Sequence, residues 1–186
     1  MNSVGQRERL IAIVKERSFQ HGTEMKLASG RTSTFYFNMK PTMLDPQGSY
    51  LIGALVLAAL EGEQIDMVGG LEMGAVPLAT AVATVSHTIG RPTPAFFVRK
   101  QAKEHGTQSL IEGLAASQEI AGKRVAIVED VTTTGTSALR AVEQVRSAGA
   151  TVARVITIVD RLEGAAEAFA GQGLAFSALL SIDDFR

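Results

Sequence analysis

Apolar and polar positions change period along this chain, and the sharpest change lies at its centre. Four consecutive apolar residues, Val125 to Val128, run into Glu129 and Asp130, after which Leu139, Val142 and Val145 recur at helical spacing. A continuous apolar run is what a strand covered on both faces looks like, so the pattern predicts a buried strand, a loop and a helix. Upstream it predicts a helix over 6–17, a polar strand or hairpin over 24–38, and a helix over 46–60 with Asp45 as its cap and Pro46 in its first turn. Further strands are predicted at 67–69, 95–98, 109–112, 125–128, 155–159 and 175–180. They alternate with helices at 76–88, at 138–147 (ending at Gly149) and at 163–170. The class is α/β with a mainly parallel sheet flanked by helices. In such a sheet ligands bind beyond the carboxyl ends of the strands, where Gly70, Arg99, Glu129 and Asp160 all fall.

The 186 residues suffice for one domain with a sizeable core and no staples, and no repeat, linker or low-complexity run interrupts them. Cysteine is absent, which removes disulfides and thiolate metal sites. The polar start, Met1 to Arg9, does not read as a signal peptide, so the expected location is the cytoplasm. Leu51 to Leu60, the longest apolar stretch, is far short of the ~18 residues of a membrane span. A net charge of −1 argues against a broad nucleic-acid surface. The expected ligand is therefore small.

Candidate chemistry concentrates in three loops. Thr132, Thr133, Thr134, Thr136 and Ser137 put hydroxyl donors around Gly135 where a helix opens, and free N–H groups there favour an anion such as a phosphate. Glu129 and Asp130 repel phosphate but accept from sugar hydroxyls, so the site reads as ribose plus phosphate. Neither G-x-x-x-x-G-K-[ST] nor a strand-linked G-x-G-x-x-G is present. The bland alternative is an ordinary strand–helix turn of a nucleotide-binding fold. The second loop, Gly69-Gly70-Leu71-Glu72-Met73-Gly74-Ala75, suits a pyrophosphate, although glycine turns between strand and helix are common for steric reasons alone. The third, Arg99 to Thr107, gathers Arg99, Lys100, Lys103 and His105. It reads as a flexible lid that closes over a polyphosphate, or else as a solvated hairpin loop.

The stretch Val125 to Ser137 resembles the phosphoribosyl pyrophosphate motif of the type I phosphoribosyltransferases. With Arg99-Lys100, Lys103, His105-Gly106, Asp160-Arg161, Leu27-Ala28-Ser29-Gly30-Arg31 and Phe35-Tyr36-Phe37-Asn38, nearly the whole chain is similar to the orotate phosphoribosyltransferases. The basic-loop spacing and the Ser-Gly-Arg to aromatic run separate that family from the purine enzymes, which are the alternative within enzymes. A regulator that keeps the substrate site without catalysis is the alternative outside them.

The resemblance implies the type I phosphoribosyltransferase fold over 1–186, with a small amino-terminal hood from about 1–40 and the carboxy-terminal segment. It implies transfer of the phosphoribosyl group from phosphoribosyl pyrophosphate to orotate, with Mg2+, in a homodimer whose basic loop reaches into the neighbouring subunit's site. By the same resemblance Lys103, His105 and Asp130 are catalytic. Phosphoribosyl pyrophosphate is bound by Arg99, Lys100, Lys103, His105, Glu129, Asp130, Val131, Thr132, Thr133, Thr134, Gly135, Thr136, Ser137, Glu72 and Met73. Thr133, Arg161, Tyr36 and Phe37 face orotate. Read as a residue alone, Arg161 is equally a surface partner of Asp160 or Glu163. The metal is expected to be held mainly by substrate, without a protein cage. Ala28 and Met73 stand where many members carry lysine, and Lys26 or Lys40 is the expected substitute cation. His21 and His87 read as structural or surface residues.

Overall fold

The structure, a computed structural model, describes residues 3–26, 32–101, 110–115 and 118–186, without the side chains of 23–26, 32 and 33. Helix α1 (Ser3–Arg17) leads into an antiparallel hairpin of β1 (Phe19–Lys26) and β2 (Thr32–Phe37), then α2 (Lys40–Met43) and α3 (Pro46–Ala59). There follow β3 (Met67–Leu71), α4 (Ala75–Thr88), β4 (Ala95–Val98), β5 (Ile111–Glu112), β6 (Arg124–Thr132), α5 (Thr136–Ser147), β7 (Thr151–Asp160), α6 (Ala165–Ala170), β8 (Ala175–Ser181) and a 3-10 turn over Ile182–Phe185. The expected cap of α3 forms: the Asp45 carboxylate accepts from the backbone N–H groups of Gln47 (3.0 Å) and Gly48 (2.9 Å). This satisfies two of the helix's orphan donors, and Pro46 at the first position has no N–H to satisfy.

The six-stranded sheet runs β5-β4-β3-β6-β7-β8, parallel except for the β4–β5 pair. Strand alternation divides its side chains between two apolar layers. Ala126 and Val128 join Leu10, Ile52, Leu78 and Val82 on one face. Val125 and Ile127 join Val142, Val145 and Phe169 on the other. From β3 the chain moves outward through α4 to β4, and from β6 it moves the opposite way through α5 to β7. The order therefore reverses between β3 and β6, and a crevice opens past their carboxyl ends.

Several boundaries differ from the sequence expectation. Strand β6 continues past Val128 because Val131 and Thr132 pair with Val159 and Asp160, so Glu129 and Asp130 lie inside the strand rather than after it. Strand β7 begins at Thr151, earlier than the apolar run suggests, through pairing with Arg124. Helix α6 starts at Ala165, since Leu162 (φ 57°) and Gly164 (φ 100°) hold a left-handed turn where 163 was expected to be helical. Of the strand expected over 109–112, Ile111–Glu112 forms, and 109 lies outside the described residues.

The hairpin is tied to the carboxyl end of the chain. The Phe37 ring lies 5.0 Å from Phe19 and 5.1 Å from Phe185, centre to centre. The Arg7 guanidinium donates to the Asp184 carboxylate (2.7 and 2.8 Å) and to the Leu179 carbonyl (3.0 Å). Among the described residues no helix is long and apolar enough to cross a membrane.

Candidate active site

The turn after β6 makes the first half of the site. Gly135 caps α5 in a left-handed conformation (φ 80°), and a Cβ there would stand 2.9 Å from the Phe169 ring, so both backbone and space call for glycine. The turn and cap hydrogen bonds among the described residues include none donated by the backbone of Thr133 to Ser137. Their N–H groups face a cradle of about 50 Å3 lined by Glu129, Val131 and Thr132 to Ala138, with the Thr134 and Thr136 hydroxyls 2.9 Å apart at its rim. Larger concavities, of about 440 and 480 Å3, lie at the amino ends of the strands beside Asp66 and Lys123 and between α3 and α4 beside Tyr50 and Thr84. Volume does not decide the site here; the convergence of a helix start, hydroxyls and carboxylates does.

Alternation along β6 sends Glu129 toward α5 and Asp130 toward α4. Asp130 rests on the second loop: a Cβ on Gly74 would lie 2.7 Å from its Oδ1. That oxygen accepts from the Val131 N–H at 2.9 Å. Glu129 is buried, and its Oε2, like the buried Thr132 Oγ1, has no hydrogen-bond partner among the described residues. Burial, and then the adjacent Asp130 charge and hydrogen bond, hold the Glu129 carboxyl well above its ordinary value of 4.5, against the pull of Lys100. A buried acceptor without a donor is a place for a ligand hydroxyl.

This raised pKa has a direct consequence for stability. In the unfolded chain Glu129 ionises near 4.5, whereas the folded chain retains the proton to higher pH. Its contribution to stability is thus complete below 4.5 and is lost as pH rises through the folded value. Glu129→Gln in the ligand-free protein should therefore raise Tm at pH 8 by more than at pH 5. An equal difference at both pH values, measured by calorimetry, would show that the carboxyl ionises freely.

The second loop follows β3 directly. The Glu72–Met73 peptide is cis, the Glu72 N–H donates to the Val98 carbonyl (2.8 Å), and the Glu72 carboxylate accepts from the Lys100 N–H (2.8 Å). Glu72 thereby anchors the root of the basic segment, and Arg140 reaches the Lys100 carbonyl from α5 at 3.4 Å. Sequence reasoning missed Arg140, whose only signal was its place one turn into the helix that opens from the threonine loop. Arg99 is half-buried, Lys100 and Met73 are exposed. Lys103, His105, Ser29, Gly30 and Arg31 lie outside the described residues, as does the Lys26 side chain. Lys40 is exposed at the start of α2, and His21 and His87 are exposed.

At the end of β7 the Arg161 N–H donates to the Thr132 carbonyl (2.9 Å), and the Leu162 N–H donates to the Asp160 carboxylate (2.9 Å). Arg161 lies beside the threonine turn as expected, yet it is not at the surface: the residue is 6 % exposed. Its Nη2 is 2.7 Å from Glu163 Oε1, and its guanidinium carbon is 4.6 Å from the centre of the Phe35 ring. Packing divides the aromatics of the hairpin. Phe37 packs into the core with Phe19 and Phe185, and the ring that meets Arg161 belongs to Phe35. Tyr36, on the opposite side of the strand, is 39 % exposed. Hydrophobic type alone did not separate three adjacent aromatics; their alternate burial in the hairpin does.

Residues 51–170 match the family model described as a phosphoribosyl transferase domain. The chain is 56 % identical over 185 residues to the orotate phosphoribosyltransferase of Bradyrhizobium sp. (strain ORS 278), covering 100 % of both chains. Its fold is similar to the crystal structure of the Mycobacterium tuberculosis H37Rv orotate phosphoribosyltransferase in complex with Fe(III) dicitrate, with a TM-score of 0.84, 42 % identity, and coverage of 96 % of this chain and 98 % of that one. The same mycobacterial enzyme in complex with 5-phospho-α-D-ribosyl 1-diphosphate matches with a TM-score of 0.79, 39 % identity, and coverage of 96 % and 98 %. Full-length identity at this level, together with a threonine cradle and a carboxylate pair at the reversal of the sheet, places the chain in the orotate phosphoribosyltransferase family.

Proposed function

We propose that this chain transfers the phosphoribosyl group from phosphoribosyl pyrophosphate to orotate, giving orotidine 5′-monophosphate and pyrophosphate in pyrimidine biosynthesis. The observation that carries this reading is the meeting of three loops at one crevice: the hydroxyl cradle, the Gly74 turn against Asp130, and the buried Arg161 stacked on Phe35. In the reaction the bond from the anomeric carbon to the pyrophosphate oxygen breaks with its electrons leaving on pyrophosphate. A ring nitrogen of orotate bonds to that carbon and gives up its proton. Positive charge grows on the sugar and negative charge on the leaving group, so groups that match those charges lower the barrier most.

The threonine turn, Thr132 to Ser137 with Val131, takes the 5′-phosphate on its N–H groups and hydroxyls. Asp130 and Glu129 accept from the ribose hydroxyls, and the carboxylate charge favours the developing sugar cation. Arg99, Lys100, Lys103 and His105, with the Glu72–Met73 turn, serve the pyrophosphate, and Lys26 or Lys40 stands in for the lysines replaced by Ala28 and Met73. Arg161 takes the orotate carboxylate, since a guanidinium fork matches it, with Thr133 and the Tyr36 region around the pyrimidine.

An oxygen-only donor set, with Glu129 Oε2 lacking a partner and Asp130 beside it, suits magnesium carried in by substrate. Carried in mainly by substrate beside Glu129 and Asp130, magnesium would supply charge neutralisation on the leaving group. Among the described residues no group of three or more His, Cys, Asp or Glu side chains is arranged as a metal cage. The enzyme works in the cytoplasm as a homodimer that shares the basic loop between subunits. Residues 1–186 act as one unit, and the hairpin with the carboxy-terminal turn forms a hood over the crevice.

The deciding experiment is a substrate profile with orotate, adenine, hypoxanthine and xanthine in the presence of magnesium. Orotate alone should turn over, and chelation should abolish turnover while leaving the Tm of the ligand-free protein unchanged. Turnover of a purine without orotate would replace this reading with that of a purine phosphoribosyltransferase.

A further inference from the structure

Successive N–H groups at the end of β4 point to opposite edges. That of Arg99 donates to the Leu110 carbonyl on the β5 side (2.7 Å), so that of Lys100 faces β3. The β3–β4 ladder sets Leu71 beside Val98 and takes the Glu72 N–H onto the Val98 carbonyl (2.8 Å). Continued by one step, a parallel ladder would place the Lys100 N–H on the Glu72 carbonyl. The Glu72 side chain supplies the acceptor instead, with its Oε1 2.8 Å from the Lys100 nitrogen. Arg140 Nη2 reaches the Lys100 carbonyl from α5 at 3.4 Å. The two peptides that flank the Lys100 Cα are thus each held by a side chain, one from the loop after β3 and one from α5. Planar peptides held on both sides fix the direction of the Cβ between them. The Lys100 charge acts on the buried Glu129 carboxyl of the same chain, which puts the ammonium on the crevice side.

We propose that Glu72 and Arg140 are positioning residues that aim the Lys100 ammonium into the crevice, and that the Glu72 carboxylate acts as a backbone acceptor rather than as a ligand of phosphoribosyl pyrophosphate. The inference rests on the reading of Lys100 as a cation for the leaving pyrophosphate. A carboxylate turned toward that group would oppose the reaction, because negative charge grows there in the transition state. Engaged on the Lys100 N–H, the same carboxylate acts through the lysine. With its backbone held, Lys100 has only its side-chain torsions left to search, and placement of a charged group within about 1 Å is worth a large factor in rate. The effect of Glu72 therefore depends on its ability to accept a hydrogen bond, and it exists only while Lys100 carries a charge to aim.

The test combines single variants with a double-mutant cycle, read as kcat/KM for phosphoribosyl pyrophosphate. Glu72→Ala should lower it about tenfold, mainly through kcat, and Arg140→Ala about threefold, since that contact is longer and exposed. Glu72→Gln keeps an oxygen that accepts the Lys100 N–H and should lose only about twofold. In a Lys100→Ala background Glu72→Ala should cost less than about twofold, because no ammonium remains to be aimed. Equal losses in Glu72→Gln and Glu72→Ala would show that the charge itself acts, and tighter phosphoribosyl pyrophosphate binding in both would show that it repels the substrate; either overturns the proposal. So does a loss from Glu72→Ala that persists undiminished without Lys100, which would make Glu72 a brace of the loop. If calorimetry shows Glu72→Ala to be unstable, Arg140→Ala with Lys100→Ala closes the same cycle. Full activity in Lys100→Ala overturns the reading of Lys100 as a pyrophosphate cation, and the proposal with it.

Discussion

Asp130→Asn should lower kcat/KM by roughly 100-fold, the scale of removing one well-placed electrostatic group from a transition state, while leaving Tm nearly unchanged. The side chains are isosteric, and asparagine's carbonyl oxygen can still accept the Val131 N–H that Asp130 Oδ1 takes at 2.9 Å, beside the Gly74 backbone. In the proposed reaction, what disappears is the negative charge beside a sugar on which positive charge is developing. That charge matters more in the transition state than in the bound substrate, so the loss should appear in kcat more than in the KM for phosphoribosyl pyrophosphate. The same substitution removes the second largest influence on Glu129, whose carboxyl should then ionise at a lower pH. Steady-state kinetics and a pH titration of stability check both parts. Activity within a few-fold of the original would show that the carboxylate only shapes the Gly74 turn.

Gly70→Ala should be the most damaging single methyl group in the sheet. A Cβ at this position would lie 2.2 Å from the Val128 carbonyl oxygen and 2.7 Å from the Ala75 Cβ. The obstructing oxygen belongs to the backbone of the neighbouring central strand, and the obstructing methyl group to the first residue of α4. Neither can swing aside as a flexible side chain would. Overpacking of this kind costs about 3 kcal/mol, which for a chain of this size lowers Tm by roughly 6–12 °C. The helix that follows the loop proposed for pyrophosphate would be pushed from β6, so affinity for phosphoribosyl pyrophosphate should fall as well. Gly171→Ala is the control: its φ of −60° suits any residue and the nearest atom to an added Cβ is 3.4 Å away, so its Tm should hardly move. If thermal unfolding of the two variants is alike, close approach at Gly70 is not what holds β3, β6 and α4 together.

Local chemistry explains why so much could be read before the fold was known. The run Val125 to Val128 announces a strand buried on both faces because no polar residue interrupts it, and Asp45-Pro46 announces a helix start because a carboxylate and a missing N–H both suit one. The hydroxyl-rich turn with Gly135 at its centre carries the donors of the proposed phosphate site in its own backbone and side chains. These features depend on neighbours within a few residues of one another, and the chain encodes them wherever it is placed.

Strand pairing and burial, by contrast, depend on partners far away in the chain. The extension of β6 through Glu129 and Asp130 comes from its ladder with β7, more than twenty residues downstream. Glu129 differs from Asp130 because one is sealed against α5 and the other rests on Gly74, a distinction absent from an acidic dipeptide. Phe35, Tyr36 and Phe37 look interchangeable in sequence, and the packing of Phe19 and Phe185 on Phe37 sorts them, leaving Phe35 to Arg161. Arg161 itself stood equally as a surface ion pair and as a ligand residue. Its ion pair with Glu163 does form, but in a buried setting, because the end of β7 lies beside β6 and beneath the hairpin. The chain thus encoded the chemical groups of the site and their order; burial and long-range pairing assigned each its role, because desolvation and contact are properties of the assembled fold.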